Sequence, residues 1–183
     1  MSSKTGDFEK KLAKKSTIEE IRDRFDQSVE RFTQLETGQQ AVPDAALVLD
    51  LVSKVASTHL QTGNSILDIG CGAGNFTLRV LREVGKPLDC HLADLSRPML
   101  NRAVERIIAT GVTSVTTHHI DLRKLTYAPD SFHCILAGAV LHHLRDKSDW
   151  SAVFSLLYKW LKPGGRLYVA DIAVFDAPDI QTL

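Results

Sequence analysis

The sequence has few cysteines, no long apolar run and no excess of positive charge, the features typical of secreted, membrane-spanning and nucleic-acid-binding proteins respectively. Its three cysteines, Cys71, Cys90 and Cys134, form no C-x-x-C pair, which favours reduced thiols in a cytoplasmic protein. The longest apolar run, 134–141, has eight residues and is too short to cross a bilayer. Lysine plus arginine equals aspartate plus glutamate at 22 each, so no excess positive charge indicates a nucleic-acid or anionic-membrane surface. We therefore expect neither a membrane nor a nucleic acid as a partner.

The composition that remains is typical of a single globular domain. The chain has 183 residues, of which 44% are hydrophobic and 24% charged. A chain of this length can bury a substantial core. We find no internal repeat.

The most informative stretch is 65–77, which reads Ser-Ile-Leu-Asp-Ile-Gly-Cys-Gly-Ala-Gly-Asn-Phe-Thr. Its apolar residues predict a short strand buried on both faces, and the three alternating glycines predict a sharp turn into a helix. A strand, a glycine turn and a helix N-terminus together present free N–H groups to a ligand at the edge of a parallel sheet.

The glycine spacing differs from the dinucleotide fingerprint G-x-G-x-x-G, because Asn75 stands where the third glycine belongs and Gly74 comes one residue early. Asp68, on the strand end, would repel a pyrophosphate but suits a ligand that has an ammonium group and no phosphate. S-adenosylmethionine (SAM) is such a ligand, and the stretch resembles the glycine motif of the class I SAM-dependent methyltransferases. A hydride-transferring dehydrogenase is the alternative.

Two further acids follow predicted strands in the same way. Asp94 lies twenty residues beyond Gly74, where an acid in a parallel fold accepts hydrogen bonds from a ribose diol. The structural alternative is that Asp94 only caps the next helix. The resemblance implies that Asp121 bonds the adenine amine and that the backbone of Leu122 contacts the ring. Because the carboxyl ends of parallel strands share one edge, we expect Asp68, Asp94 and Asp121 around a common cleft.

The resemblance implies a set of cofactor-binding residues that extends these acids. No cluster of side chains has the spacing of a metal site, so no metal is expected. The predicted set is Asp68, Gly70, Cys71, Gly72, Gly74, Asp94, Leu95, Asp121, Leu122 and Ala137.

A Leu-His-His-Leu segment at 141–144 follows the fourth predicted strand. In similar enzymes this segment faces the transferred methyl group and the acceptor. His142 and His143 are therefore the candidate catalytic bases, since histidine titrates near neutrality. Adjacent residues point in different directions, so we expect at most one of them to face the site. The alternative is that both are structural.

The region before the glycine loop divides into two predicted parts. Residues 1–17 contain five lysines and are expected to form a flexible basic tail, with an RNA-contacting arm as the alternative. Residues 18–60 are predicted to form two helices, the first being a single helix of about four turns capped by Ser16 or Thr17. These helices either cover one sheet face or, as in similar methyltransferases, form a lid over the cofactor and help to choose the substrate.

The resemblance covers about 66–171 and places a SAM-binding, Rossmann-like core within 61–183. It implies an α/β fold with an open parallel sheet of order 3-2-1-4-5 and helices on both faces. The closest likeness is to the small-molecule, quinone-biosynthesis branch. The family's strands six and seven are absent, so we expect a truncated sheet or one completed by another chain, such as a homodimer through the uncovered edge of strand five.

These patterns predict a cytoplasmic SAM-dependent methyltransferase that acts on a small-molecule acceptor by in-line displacement. Two alternatives remain open, a tRNA-modifying SAM-dependent enzyme and a SAM-binding module without catalysis.

Overall fold

A computed structural model describes residues 15–34, 44–112 and 114–172. Five strands in these ranges form one sheet, and every neighbouring pair is parallel. The strand order is β3-β2-β1-β4-β5, which confirms the predicted open parallel sheet. The strands are β1 (Ser65–Ile69), β2 (Asp89–Asp94), β3 (Val115–His119), β4 (Phe132–Gly138) and β5 (Leu161–Ala170).

Helices cover both faces of the sheet, as predicted. The α-helices are α1 (Ile18–Asp26), α2 (Val29–Thr33), α3 (Ala45–Ser57), α4 (Asn75–Val84), α5 (Arg97–Ile108) and α6 (Lys147–Trp160). Two short 3-10 helices follow β3 and β4, at Leu122–Lys124 and Leu141–His143. Side chains alternate along β1, so Ile66 packs into the core under α3, α4 and α5, and Leu67 into the core under α6.

All three cysteines are free and buried, which agrees with the expectation of reduced thiols. Burial raises the pKa of Cys90 and of Cys134 to about 12. These thiols therefore stay protonated near neutral pH and act as small apolar core residues.

The prediction of one helix of about four turns at the start of residues 18–60 is wrong, because two shorter helices, α1 and α2, form there. Thr17, one of the two predicted caps, caps α1 in a capping box with Glu20. Helix α1 then ends at Asp26, and Ser28 has φ −118° and ψ 17°, outside helical geometry. The break redirects the chain so that the rings of Phe25 and Phe32 meet with centroids 5.3 Å apart. A tertiary contact thus overrides a continuous apolar periodicity.

Strand β5 begins earlier than the predicted Arg166. Its register against β4 jumps from Phe132 opposite Leu161 to Cys134 opposite Arg166, so the residues between bulge out of the ladder. Gly164 lies in this bulge with φ +79°. The predicted Pro-Gly-Gly turn is therefore an irregularity at the start of the strand.

No helix in the described ranges is both long and apolar enough to span a bilayer. Most of the predicted basic tail, 1–14, lies outside the described residues.

Candidate active site

A cavity of about 360 Å³ lies at the carboxyl ends of β1, β2, β3 and β4. The loops that leave these strands form one wall, and α1 and α2 form the other. The structure brings Asp68, Asp94 and Asp121 together in this cavity. Also lining it are the predicted site residues Gly70, Cys71, Gly72, Leu95, Leu122, His142 and His143.

Two residues of the predicted cofactor set, Gly74 and Ala137, do not line this cavity. Gly74 precedes α4 with φ +81°, and a Cβ atom there would lie 3.1 Å from the Cβ of Ala103. Ala137 is 1% exposed and packs in the core under α6. Both positions are explained by close packing.

The glycine loop is tied to the end of β2 by hydrogen bonds. The N–H groups of Gly70 and Cys71 donate to the carbonyl of Ala93 at 2.7 and 3.1 Å. A Cβ atom on Gly70 would lie 2.3 Å from Cγ2 of Val140, so only glycine fits there. Gly72 has φ +51° and no heavy atom within 4 Å of its would-be Cβ. The loop therefore packs tightly at Gly70 and leaves open space for a ligand at Gly72.

Asp94 binds the glycine loop, and Ser96 is the residue that caps α5. One carboxylate oxygen of Asp94 accepts from the N–H of Gly72 and the other from the N–H of Ser96, both at 2.8 Å. The Ser96 hydroxyl accepts from the N–H of Met99, at 3.3 Å. Burial raises the pKa of Asp94, although the backbone donors oppose this shift. The side chain is thus held rigidly at the cavity wall.

Asp68 is 1% exposed and accepts a hydrogen bond of 2.7 Å from the hydroxyl of Thr77. Burial raises the pKa of Asp68 to about 7, and the nearby charge of Asp94 adds to this rise. A cation placed beside the two carboxyls would stabilise their ionised forms.

Arg123 holds Asp121 in place. The Asp121 carboxylate accepts from the backbone N–H of Arg123 at 3.0 Å and from its guanidinium at 2.6 Å. The same guanidinium reaches Asp149 at 3.1 Å. Burial alone would raise the pKa of Asp121, but the Arg123 hydrogen bonds hold it below its ordinary value. Asp121 is therefore an ionised acceptor of fixed orientation, shared between Arg123 and any ligand.

His142 is paired with Asp171, a residue that sequence reasoning missed. Nδ1 of His142 lies 2.7 Å from Oδ1 of Asp171, and the other oxygen accepts from the N–H of Leu141 at 2.6 Å. Burial would raise the pKa of Asp171, but the bond from His142 holds it below its ordinary value. The sequence did contain a signal for Asp171. It follows β5 directly, and Asp68, Asp94 and Asp121 likewise lie at or just beyond the carboxyl ends of their strands.

His143 also lines the cavity, so the expectation that at most one of the two histidines faces the site is wrong. The reason is the 3-10 helix Leu141–His143, in which successive side chains are about 120° apart and not on opposite faces. Burial, followed by the charges of His142 and Arg24, lowers the pKa of His143 to about 4. Its Nε2 atom is buried and has no hydrogen-bond partner in the described part of the chain.

Sequence reasoning also missed the wall contributed by α1 and α2. Arg24, Phe25, Arg31 and Phe32 line the cavity opposite the strand ends. The periodicity of the two phenylalanines looked like ordinary core packing, but both rings are only half-buried. No local signal separates a core stripe from one that faces a cavity.

A family model described as a methyltransferase domain matches residues 66–165. A ubiquinone/menaquinone biosynthesis C-methyltransferase of Methylococcus capsulatus is 35% identical over 116 residues, which make up 63% of this chain and 46% of the relative. Phosphoethanolamine N-methyltransferase 1 of Arabidopsis thaliana is 33% identical and covers 64% of this chain and 23% of the relative. The chain thus spans about half the length, or less, of these curated relatives.

Solved structures show the same fold. Phosphoethanolamine N-methyltransferase 2 of Haemonchus contortus, in complex with phosphomonomethylethanolamine and S-adenosylhomocysteine, has a TM-score of 0.54 and is 31% identical. The match covers 64% of this chain and 26% of that chain. The family model covers more than half of the chain, and the strand order agrees with it. This chain therefore belongs to the methyltransferase domain family.

Proposed function

We propose that the protein is a SAM-dependent methyltransferase that acts on a small-molecule acceptor. The observation that carries the proposal is one cavity lined by Asp68 and Asp94 at the glycine loop and by His142, whose ring Asp171 holds. Membership of the methyltransferase domain family supports it. So does the Haemonchus contortus relative, which is described in complex with S-adenosylhomocysteine.

The residues at the strand ends suit SAM. The open space at Gly72 leaves room for the ligand to approach the backbone. Asp94 would accept hydrogen bonds from the ribose diol, and Asp121 from the adenine amine. The buried carboxyl of Asp68 would favour the positively charged methionine end. SAM supplies an electrophilic methyl group, and no metal is required for that chemistry.

His142 would act as the general base when the acceptor must lose a proton. With Nδ1 held by Asp171, Nε2 is the ring nitrogen available to take that proton. The Asp171 carboxylate then stabilises the imidazolium that forms. Helices α1 and α2 would close the cavity and exclude water, which is the lid assigned to residues 18–60.

Isothermal titration of SAM into the purified chain tests the cofactor assignment. Asp94→Ala should weaken binding by about tenfold or more, because a charge-assisted hydrogen bond contributes about 1.5–3 kcal/mol. Asp89→Ala, at the opposite end of the same strand, is the matched control and should leave the affinity unchanged. Absence of SAM binding, or an Asp94→Ala variant as tight as the wild type, would overturn the assignment.

Transfer of label from tritiated SAM to a metabolite extract tests turnover. His142→Ala and Asp171→Asn should each lower transfer by about 100-fold while SAM still binds, the usual contribution of general acid–base catalysis. The second candidate is a SAM-binding module without catalysis. Tight SAM binding with no transfer to any acceptor would establish that candidate.

The proposed setting is the cytoplasm, in keeping with three free, buried thiols. Neither the family match nor the similar methyltransferases support the tRNA-modifying alternative. We also propose that the chain forms a homodimer through the edge of β5.

A further inference from the structure

Helix α1 of the proposed lid places charges of opposite sign near the two ends of the cavity. On α1, the charge of Asp26 acts on Asp94, where it adds to the rise in pKa caused by burial. Two residues earlier, Arg24 acts on His143, where it adds to the fall in pKa caused by burial and by His142. One helix therefore places an acid toward the proposed cofactor end and a cation toward the histidine end.

Two guanidinium groups that line the cavity, those of Arg24 and Arg31, have no carboxylate partner in the described part of the chain. Other arginines nearby do: Arg22 pairs with Asp23 at 3.5 Å, and Arg102 pairs with Glu30 of α2. Arg24 and Arg31, by contrast, each lie over an aromatic ring, with Cζ to centroid distances of 5.1 and 5.4 Å. Both arginines line the cavity. Their charge is available to a ligand.

The rings beneath these two cations are Phe25 and Phe32, and they line the same cavity. They contact each other at 5.3 Å, and Phe25 lies edge-on to His143 at 6.0 Å. Ile18 and Ile21 extend the apolar wall. A flat apolar body would pack here with its face or edge against the phenylalanines.

His143 adds a neutral polar contact to this end. With a pKa of about 4 its ring is neutral near pH 7, so it neither attracts nor repels an anionic ligand through a net charge. Its buried Nε2 atom lacks a hydrogen-bond partner among the described residues. A buried polar atom of this kind is costly unless a ligand group satisfies it.

We propose that the methyl acceptor is an acid with a flat apolar body, whose anionic group binds Arg24 and Arg31 and whose polar, nucleophilic end lies at His142 and His143. The inference rests on the proposed function, because it names the substrate class of that site. Within the described ranges it follows from two cations without a carboxylate partner, two adjacent aromatic rings and a histidine nitrogen without a hydrogen-bond partner, all at one cavity.

The test compares acids with uncharged analogues of the same shape. The purified chain, saturated with S-adenosylhomocysteine, is titrated with hydroxybenzoates and hydroxycinnamates and with their primary amides. The acids should bind about fivefold more tightly than the amides, because both arginines are exposed and a solvent-exposed charge pair contributes only modestly. The double variant Arg24→Gln, Arg31→Gln should abolish this preference. Arg22→Gln, which removes a cation from the same helix but outside the cavity, should retain it.

Equal binding of acids and amides, binding by none of the acids, or a preference that survives in the double variant would each overturn the inference. A preference lost equally in Arg22→Gln would also overturn it, because the effect would then be one of net charge. The proposed function is decided separately by SAM titration of the wild type. If SAM does not bind, the acid-to-amide ratio measured without S-adenosylhomocysteine still decides whether the cavity prefers acids, while the acceptor role falls with the proposed function.

Discussion

Asp68 is a residue whose surroundings change its chemistry. The carboxyl is 1% exposed, and burial raises its pKa from 3.8 to about 7. An ordinary aspartate is ionised throughout the physiological range, whereas this one titrates within it. The sequence placed Asp68 at the end of a strand, but only its burial in the folded chain determines its protonation.

The pH dependence of stability follows from this shift. Between about pH 4 and 7 the folded chain binds a proton at Asp68 that the unfolded chain has lost, so the free energy of unfolding falls as the pH rises through that window. Urea unfolding of the wild type and Asp68→Asn should differ by a slope approaching about 1.4 kcal/mol per pH unit.

Asp89→Asn is the control for this measurement and should give no slope difference between about pH 4 and 7, because Asp89 is ionised in the folded and the unfolded chain there; its opposite slope difference lies below about pH 4. Burial raises the pKa of Asp89, but hydrogen bonds from Ser114 and His91 outweigh it and hold that pKa below its ordinary value. Equal pH slopes for the wild type and Asp68→Asn would show that the carboxyl is not buried as described.

Gly70 is a second residue at which the tertiary structure decides the requirement. Gly70→Ala should lower the free energy of unfolding by about 2–5 kcal/mol, combining about 1–2 for a left-handed alanine and about 1–3 for overpacking against Val140. Gly63→Ala, with φ +76° and open space around it, should cost only the first share. Denaturant unfolding measures both, and equal losses would mean that the contact with Val140 yields.

Helix α1 is the element on which the proposed lid depends, and its capping box holds its first turn. The hydroxyl of Thr17 accepts from the N–H of Glu20 at 3.2 Å, and the Glu20 carboxylate accepts from the N–H of Thr17 at 2.8 Å. Loss of such a cap costs about 1 kcal/mol. In a short helix at the rim of a cavity, that amount governs local opening more than global unfolding.

Thr17→Ala should therefore speed amide exchange across Ile18–Asp26 by about fivefold, the factor that corresponds to about 1 kcal/mol. Exchange in β1 should not change. Ser96→Ala, which removes the cap of α5, should speed exchange in Arg97–Ile108 and leave α1 as it was. Hydrogen exchange with mass spectrometry reads both segments, and slow exchange in α1 of the Thr17 variant would contradict the role of the cap.

The break between α1 and α2 shows the limit of periodicity. Apolar spacing continues unbroken from Ile18 to Phe32, and neither glycine nor proline marks the interruption. The chain breaks at Ser28 because the bend allows Phe25 and Phe32 to meet each other over the cavity. A pattern that repeats every three or four residues indicates a helix but does not show how far it stays straight.

At the scale of the whole molecule, β5 is one of the two edge strands of the sheet in the described ranges. Within the described ranges β5 pairs with β4 alone, and Val169 on it is 44% exposed. An edge of this kind offers unpaired N–H and C=O groups to another strand. We expect the 183-residue chain on its own to self-associate through it.

Light scattering coupled to size-exclusion chromatography should then show dimers at micromolar concentration. Val169→Lys should shift the chain toward monomer, because a charge on an edge strand disfavours pairing. Ile108→Lys replaces an apolar residue that is 55% exposed on α5 and should leave the dimer intact. A wild-type monomer, or dissociation by both variants, would argue against pairing through β5.

The sequence by itself determined the strands, the glycine turn and the acids Asp68, Asp94 and Asp121. These depend on neighbouring residues, since alternation, turn chemistry and the position of a side chain at a strand end are local properties. The common edge then followed from the geometry of parallel strands. A resemblance carried by the same residues supplied the strand order and the family.

Only the tertiary structure decided which side chains meet across the cavity. Asp171 pairs with His142 from 29 residues away because β5 lies beside β4 in register. The charge of Arg24 acts on His143 because α1 lines the same cavity as the histidines. Such contacts depend on how distant segments pack, and no spacing along the chain records them. The end proposed to bind the cofactor therefore follows from local sequence, whereas the end proposed to bind the acceptor depends on how distant segments pack.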